Sequence, residues 1–255
     1  MSPFNLLDRW LAPAPMPAKV AWLKAARFAH RGLHGAGAPE NSLSAFAQAA
    51  ARGLGMECDV QRSSDGKAMV FHDWELNRLT GEPGPLASRS AEQLNHIPLL
   101  GSHDTIPSLR QLLDQLAGKT PLLIEIKAQP SHHVAALCLA VRRVLEGYRG
   151  AHAIMSFDPR VSRWFATHSP LTVRGQIISE EKDKALMGRI RRMLLLWRAK
   201  PDFLAYDIRD LPSRFVARQR RRGLPIATWT VNSPEYRERA AAYADAPIAE
   251  GAGVE

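Results

Sequence analysis

The sequence predicts an α/β fold, a (β/α)8 TIM-type barrel distorted by a β-hairpin over residues 55–72. Short β-branched or aliphatic runs alternate with stretches of helical spacing, which is the pattern of a parallel sheet with helical crossovers. The chain's 255 residues and 45% hydrophobic content suffice for one substantial core, and α/β barrels of about this length fold as single domains. One pair of runs lies too close together for a crossover, which reduces nine strand candidates to eight parallel ones.

In chain order the strand candidates are 26–30, 55–61, 67–71, 121–127, 153–157, 173–178, 203–207, 225–231 and a short one at 246–250. Helical spacing marks 42–52, 108–117, 131–145, 159–167, 182–199, 213–222 and 234–243. Several of these open on a serine cap or an early proline, and Gly53, Gly118, Gly147 and Gly223 follow helix ends. Pro247 falls inside the last strand candidate, and because proline donates nothing to a ladder that strand should be short or irregular.

Only residues 62–66 separate the second and third strand candidates, whereas a parallel crossover needs about a dozen residues. Asp65-Gly66 is a signal for a two-residue type I′ hairpin turn, in which both central residues take positive φ. With Ser64 facing Lys67, this register sets Asp59 directly opposite His72. The domain reading is one barrel domain over 1–255, with an N-terminal extension at 1–25 and a small cap-like segment at 73–107.

Cys58 and Cys138 fit no CxxC or Cys/His zinc spacing, which favours a reduced, cytoplasmic setting. The first residues mix charges and prolines without a signal-peptide core. No run approaches the roughly 18 apolar residues of a membrane span, so a soluble protein is expected. The net charge of +9 attracts anions in general. No nucleic-acid-binding motif accompanies it, and the arginine runs 189–192 and 218–222 read first as solvated helix faces.

The chemistry concentrates elsewhere. In 56–61 the period-2 rule puts Glu57, Asp59 and Gln61 on one face and Cys58 and Val60 on the other. In 122–127 Glu125 and Lys127 share a face, away from Ile124 and Ile126. Carboxylates crowded on a strand's inner face repel and pay for desolvation. A bound cation relieves both costs, and a salt-bridge network through Lys127 is the alternative. Carboxylate oxygens with open water positions suit Mg²⁺ or Ca²⁺, whereas zinc draws on histidine and thiolate.

His30 and His72 end strand candidates, where active-site residues gather in this architecture. Two imidazoles in opposite protonation states can act as base and acid. Phosphodiester cleavage needs that pairing, because the nucleophile loses a proton while the departing alkoxide gains one. Arg31 and Lys127 could bind the non-bridging oxygens.

Residues 30–32 (His-Arg-Gly), 39–42 (Pro-Glu-Asn-Ser), 57–60 (Glu-Cys-Asp-Val), 64–66 (Ser-Asp-Gly), 70–73 (Val-Phe-His-Asp), 124–127 (Ile-Glu-Ile-Lys), 156–157 (Ser-Phe) and 229–232 (Trp-Thr-Val-Asn) together resemble the glycerophosphodiester phosphodiesterases. The resemblance spans residues 27–232 in that family's order. It implies a barrel, a divalent metal, and hydrolysis of small-molecule glycerophosphodiesters to sn-glycerol 3-phosphate and an alcohol. It further implies His30 and His72 as the acid/base pair, Glu57, Asp59 and Glu125 as metal ligands, Arg31 and Lys127 on the phosphate, and Glu40 and Asn41 in support. Trp229 is implied as a wall for the glycerol or leaving group, with ordinary barrel packing as the alternative. Ser42 stands where that family usually has threonine, and keeps a hydroxyl cap.

Two rival readings stay open. Leu186, Met187, Ile190, Met193, Leu194 and Trp197 could form an apolar stripe beside arginines in 182–199. Such a helix either turns that stripe to the sheet or lies on anionic membrane, which would suit a lysophospholipase D making peripheral membrane contact. A catalytically inactive barrel serving as a binding module is the other rival, although such a barrel usually lacks one of the histidines or carboxylates retained here.

Overall fold

The computed structural model describes residues 3–129, 133–181 and 186–254. In chain order the elements are α1 (Pro3–Leu11), α2 (Pro17–Lys24), β1 (Phe28–Ala29), α3 (Leu43–Ala51), β2 (Gly55–Arg62), β3 (Ala68–Val70), α4 (Asn77–Thr80), α5 (Ala91–Asn95), α6 (Leu109–Leu116) and β4 (Leu122–Ile126). There follow α7 (Val134–Leu145), β5 (His152–Ser156), α8 (Pro159–His168), β6 (Val173–Ile178), α9 (Leu186–Ala199), β7 (Phe203–Asp207), α10 (Arg214–Arg221), β8 (Ile226–Val231), α11 (Pro234–Tyr243) and β9 (Ala246–Ala249). Strand order and direction are those of a (β/α)8 barrel with one antiparallel strand, β3, added.

Local chemistry accounts for most boundaries. Ser42, Ser90, Ser108, Asp158 and Ser233 each accept a backbone N–H at a helix start, filling donors that a first turn leaves open. Ser90 and Ser108 complete reciprocal capping boxes with Gln93 and Gln111. Ser131 and Lys182, where two predicted helices begin, lie outside the described residues.

The chain forms two compact units, residues 1–27 with 153–255, and residues 28–152. In the second, β2 is central: β1 and β4 pair with it in parallel, and β3 pairs antiparallel. The hairpin is present, but its register differs from the expected one. Gln61 faces Met69 and Val60 faces Val70, so Asp59 aligns with Phe71, whose N–H it accepts at 3.0 Å, and not with His72.

The turn explains the shift by one residue. Ser63 and Lys67 close the hairpin, with Ser63 N donating to Lys67 O at 3.0 Å, leaving Ser64-Asp65-Gly66 as a three-residue loop. Asp65 Oδ1 takes the Ser63 hydroxyl at 2.6 Å and the Ala91 N–H at 2.9 Å. Gly66 alone supplies the left-handed residue, at φ +85°, as this loop class requires. The 73–107 segment carries α4 and α5 and has its own apolar cluster, in which Leu76, Leu86, Leu94, Leu99 and Ile106 pack on Met69 and Phe71.

In the first unit β5 to β9 pair in parallel in sequence order. The β8–β9 register shifts between Thr228 and Val231, the irregularity expected beside Pro247. The N-terminal extension is helical and anchored. Buried Asp8 of α1 accepts Trp197 Nε1 at 2.8 Å and Gln219 Nε2 at 3.0 Å and pairs with Arg218 at 3.0 Å. Arg220 pairs with Asp245 at 2.9 Å. The 218–222 run is therefore largely structural and not simply a solvated face.

Candidate active site

The proposed site residues other than Trp229 all belong to unit 28–152. Glu57 and Asp59 project from the same face of β2, and the β2–β4 register aligns Asp59 with Glu125. Parallel pairing in register brings aligned side chains to one face, so strand alternation is what assembles the three carboxylates. Each offers an oxygen within 4.8 Å of the others'. Glu57 and Asp59 are buried, with Cys58 and Val60 packed on the opposite side.

Two cations sit among them without balancing the set. Lys127 Nζ lies 3.5 Å from both Asp59 Oδ1 and Glu125 Oε1. Arg31 Nε is 3.4 Å from Asp59 Oδ2. Among the described residues Glu57 has no ion pair and accepts the Arg31 backbone N–H at 3.0 Å. The salt-bridge network considered from sequence thus exists around Asp59 and stops short of Glu57.

The titration pattern follows. Burial, then repulsion from Asp59 and Glu125, pushes the Glu57 carboxyl well above the usual carboxylate range. Burial and Asp59 push Glu125 up to about 7 against the pull of Lys127. Burial would raise Asp59 too, but Lys127, His72 and Arg31 outweigh it and hold that carboxyl low. Two crowded carboxyls whose neutral forms are favoured for want of positive charge are what a removable divalent cation would correct. The oxygen-only donor set fits a hard ion of the Mg²⁺ or Ca²⁺ kind.

The turn after β1 delivers His30 and Arg31. His30 follows Ala29 directly and is half-buried. Arg31 and Gly32 take left-handed conformations, φ +54° and +79°. A Cβ on Gly32 would stand 2.9 Å from the Ala45 backbone carbon, which explains glycine after His-Arg. Asn41 is also left-handed, φ +60°, as asparagine tolerates. It exchanges two hydrogen bonds with Asp59: its Nδ2 donates to Oδ2 at 3.0 Å, and the Asp59 N–H donates to its Oδ1 at 3.1 Å.

His72 follows β3, with Nδ1 2.7 Å from Asp73 Oδ1. Burial lowers its pKa and nearby Asp59 opposes the shift. His72, Asp73, Trp74, Arg78 and Lys127 line a cleft of about 380 Å³. A charged chain spans the site: Asp73 takes Arg78 Nε at 2.5 Å, Arg78 donates to Glu40 at 2.7 and 2.9 Å, and Glu40 takes Arg31 at 2.7 Å.

Trp229 belongs to the other unit. It donates Nε1 to Ala205 O at 3.2 Å and stands edge-on to Phe157 at 5.5 Å, and it is half-buried. Sequence reasoning missed three positioning residues. Gln61 braces the chain at His72 by donating Nε2 to the carbonyls of Phe71, His72 and Asp73 at 3.0, 3.1 and 2.6 Å, and its place on the Glu57–Asp59 face was the available signal. Asp73 was adjacent to a chosen histidine. Arg78, on α4, carried no local signal.

A model described as the Glycerophosphoryl diester phosphodiesterase family matches residues 30–250. The Mycobacterium tuberculosis protein named "Probable glycerophosphodiester phosphodiesterase 2" is 30% identical over 230 residues, covering 81% of this chain and 80% of that protein. A Bacillus altitudinis glycerophosphodiester phosphodiesterase is 35% identical over 113 residues, 41% of this chain and 45% of that one. The chain thus spans about half the length, 45% and 48%, of the Bacillus altitudinis and Rattus norvegicus relatives that it matches.

Among solved structures, an Oleispira antarctica phosphodiesterase in complex with the product sn-glycerol-3-phosphate superposes with TM-score 0.78 at 21% identity, covering 91% of this chain and 94% of that one. A Thermotoga maritima glycerophosphodiester phosphodiesterase gives 0.71 at 25% identity, covering 88% and 94%. These likenesses establish the shared barrel fold. With the family model matched across most of its length, this chain belongs to the glycerophosphoryl diester phosphodiesterase family.

Proposed function

We propose that this protein hydrolyses small-molecule glycerophosphodiesters to sn-glycerol 3-phosphate and an alcohol, using a divalent cation of the Mg²⁺ or Ca²⁺ kind. The observation that carries the proposal is the cluster of buried Glu57 and Asp59 with half-buried Glu125, beside two cationic side chains and a carboxylate-paired histidine. Glu57, Asp59 and Glu125 would hold the cation. When bound it supplies a Lewis acid for a phosphoryl oxygen.

The chain's own groups carry the remainder. Lys127 and Arg31 stand against the carboxylates and present positive charge for the non-bridging oxygens. His30 and His72 exchange protons, one withdrawing a proton from the nucleophile and the other protonating the departing alkoxide. Asp73 fixes the His72 tautomer, Asn41 orients Asp59, and Glu40 holds Arg31. We place the protein in the cytoplasm: Cys58 and Cys138 are buried and unbridged, and among the described residues no helix is long and apolar enough to cross a membrane.

The test is a panel of glycerophosphodiesters assayed with and without chelator, alongside His30→Ala and His72→Ala. Loss of turnover in chelator, restored by Mg²⁺ or Ca²⁺, and loss in both variants is the expected result. Undiminished hydrolysis in chelator overturns the metal, and undiminished hydrolysis in both variants overturns the histidines. The outward apolar residues of α9 favour a second reading, a lysophospholipase D. Turnover of lysophosphatidylcholine well above that of glycerophosphocholine would select it.

A further inference from the structure

Helix α9 departs from the usual facing of a helix that covers a barrel by burying an arginine and turning an apolar stripe outward. Such a helix normally buries apolar residues and shows charge to water. Here Arg192 is buried with Leu196 and Ala199, while Met187, Ile190 and Leu194 are 60%, 40% and 49% exposed. Spacings of three and four residues put these three on one line of helix surface. A single exposed apolar residue needs no explanation, but a connected stripe does.

The surroundings are cationic. The α9 sequence LMGRIRRMLLLWRA and the α10 sequence RFVARQRR contain no acidic residue. A cavity of about 670 Å³ lies between these helices, lined by Arg189 and Arg214 together with Ile190, Met193 and Phe215. The two acids in its wall are already engaged. Glu180 pairs with Arg192 at 3.1 Å and accepts the hydroxyls of Tyr206 and Ser213, and Asp210 accepts the Glu180 N–H at 2.5 Å. Among the described residues neither Arg189 nor Arg214 is matched by a carboxylate at ion-pair distance.

We propose that this face docks on an anionic phospholipid bilayer. Met187, Ile190 and Leu194 enter the interfacial layer, and one lipid sets its phosphate on Arg189 and Arg214 with its chain along Ile190, Met193 and Phe215. Charge complementarity and the apolar stripe select this occupant together. Inorganic phosphate or nucleic acid would use the arginines and leave the stripe in water. A second copy of the chain would oppose one arginine-rich face, its two acids already engaged, with another. A bilayer of anionic lipid satisfies both features, as for other basic amphipathic helices.

The test is co-sedimentation of the full chain with phosphatidylcholine vesicles, with and without phosphatidylglycerol, at constant ionic strength. The wild type is expected to pellet with the phosphatidylglycerol vesicles and weakly with phosphatidylcholine alone. Arg189→Gln with Arg214→Gln should weaken binding roughly fivefold per arginine. Met187→Ser, Ile190→Ser and Leu194→Ser together should weaken it on the order of tenfold. Circular dichroism and turnover of a soluble glycerophosphodiester should match the wild type in both variants, since neither touches the catalytic cluster. The proposal is overturned by absence of vesicle binding, by equal binding of wild type and variants, by displacement with millimolar inorganic phosphate at constant ionic strength, or by a dimer that the serine variant dissolves.

Discussion

His72 Nδ1 lies 2.7 Å from Asp73 Oδ1, which in the proposed mechanism assigns proton exchange with substrate to Nε2. Hydrogen bonds from Arg78, opposed by modest burial and joined by the contact with His72, lower Asp73 to about 2. The partner of His72 is therefore ionised across ordinary pH. In the proposed mechanism it acts on the imidazole by orientation and charge, as the third member of a proton-transfer relay does.

Asp73→Asn keeps the shape and removes the charge. It should lower kcat roughly tenfold to a hundredfold with little change in KM. Loss of the carboxylate that raises the His72 pKa should also move that limb of the pH–rate profile to lower pH. Arg78→Gln, one step further along the chain, should give a smaller fall in kcat of the same kind. Steady-state kinetics across pH measure both, and a pure KM effect would contradict the positioning role.

Cation affinity should depend on pH with a definite sign. Glu57 and Glu125 are held above the usual carboxylate range, so below about pH 7 a cation must displace protons to bind. Affinity is expected to rise with pH through neutrality, with protons released as the cation binds. Isothermal titration of Mg²⁺ or Ca²⁺ in buffers of different ionisation enthalpy reads the proton count. Glu125→Gln should reduce both the affinity and the proton release.

The same groups set a stability window for the metal-free protein. A carboxyl whose folded pKa is raised binds more protons folded than unfolded, so its contribution is full below the unfolded value and is lost as pH rises through the folded one. For Glu125 that window runs from the ordinary glutamate value of 4.5 to about 7. Chelator-treated protein should lose Tm across this range, with a shallower loss in Glu125→Gln. Saturating cation should restore it, by about 2.7 kcal/mol at a hundredfold excess over Kd.

Asn41→Ala removes both hydrogen bonds to Asp59 and a residue suited to its positive φ. Leaving the buried Asp59 N–H and carboxylate short of partners should cost about 1–3 kcal/mol. Asn41→Gly keeps the backbone conformation available and loses only the side chain. The difference between the two in chemical denaturation separates the backbone contribution from the hydrogen bonds, and both variants should bind cation more weakly.

Gly32→Ala tests the turn that carries His30 and Arg31. At φ +79°, with a Cβ 2.9 Å from the Ala45 backbone, alanine adds about 1–2 kcal/mol of left-handed strain and a steric overlap. The expected outcome is a lower Tm together with reduced kcat. Gly37, also at positive φ but with open space where a Cβ would stand, is the control: Gly37→Ala should cost stability and leave kcat nearly unchanged.

By itself the sequence determined every strand of the barrel, the helices of its crossovers and the three-carboxylate face, because each rests on a short-range rule. Alternation along 57–61 and 123–127 decides which side chains share a face, and serine and proline caps decide where helices start. What lay beyond it depended on partners distant in the chain or on backbone detail. The hairpin register turned on whether two or three residues make the loop, a choice decided by Ser63, Asp65 and Ala91. The chain from Asp73 through Arg78 and Glu40 to Arg31 depends on the Arg78–Glu40 contact, between residues 38 positions apart, and no local pattern announces it. Buried Arg192 and the outward Met187, Ile190 and Leu194 likewise follow from Glu180 holding the arginine inward. Periodicity specifies a helix and its faces, but only tertiary contacts decide which face meets water.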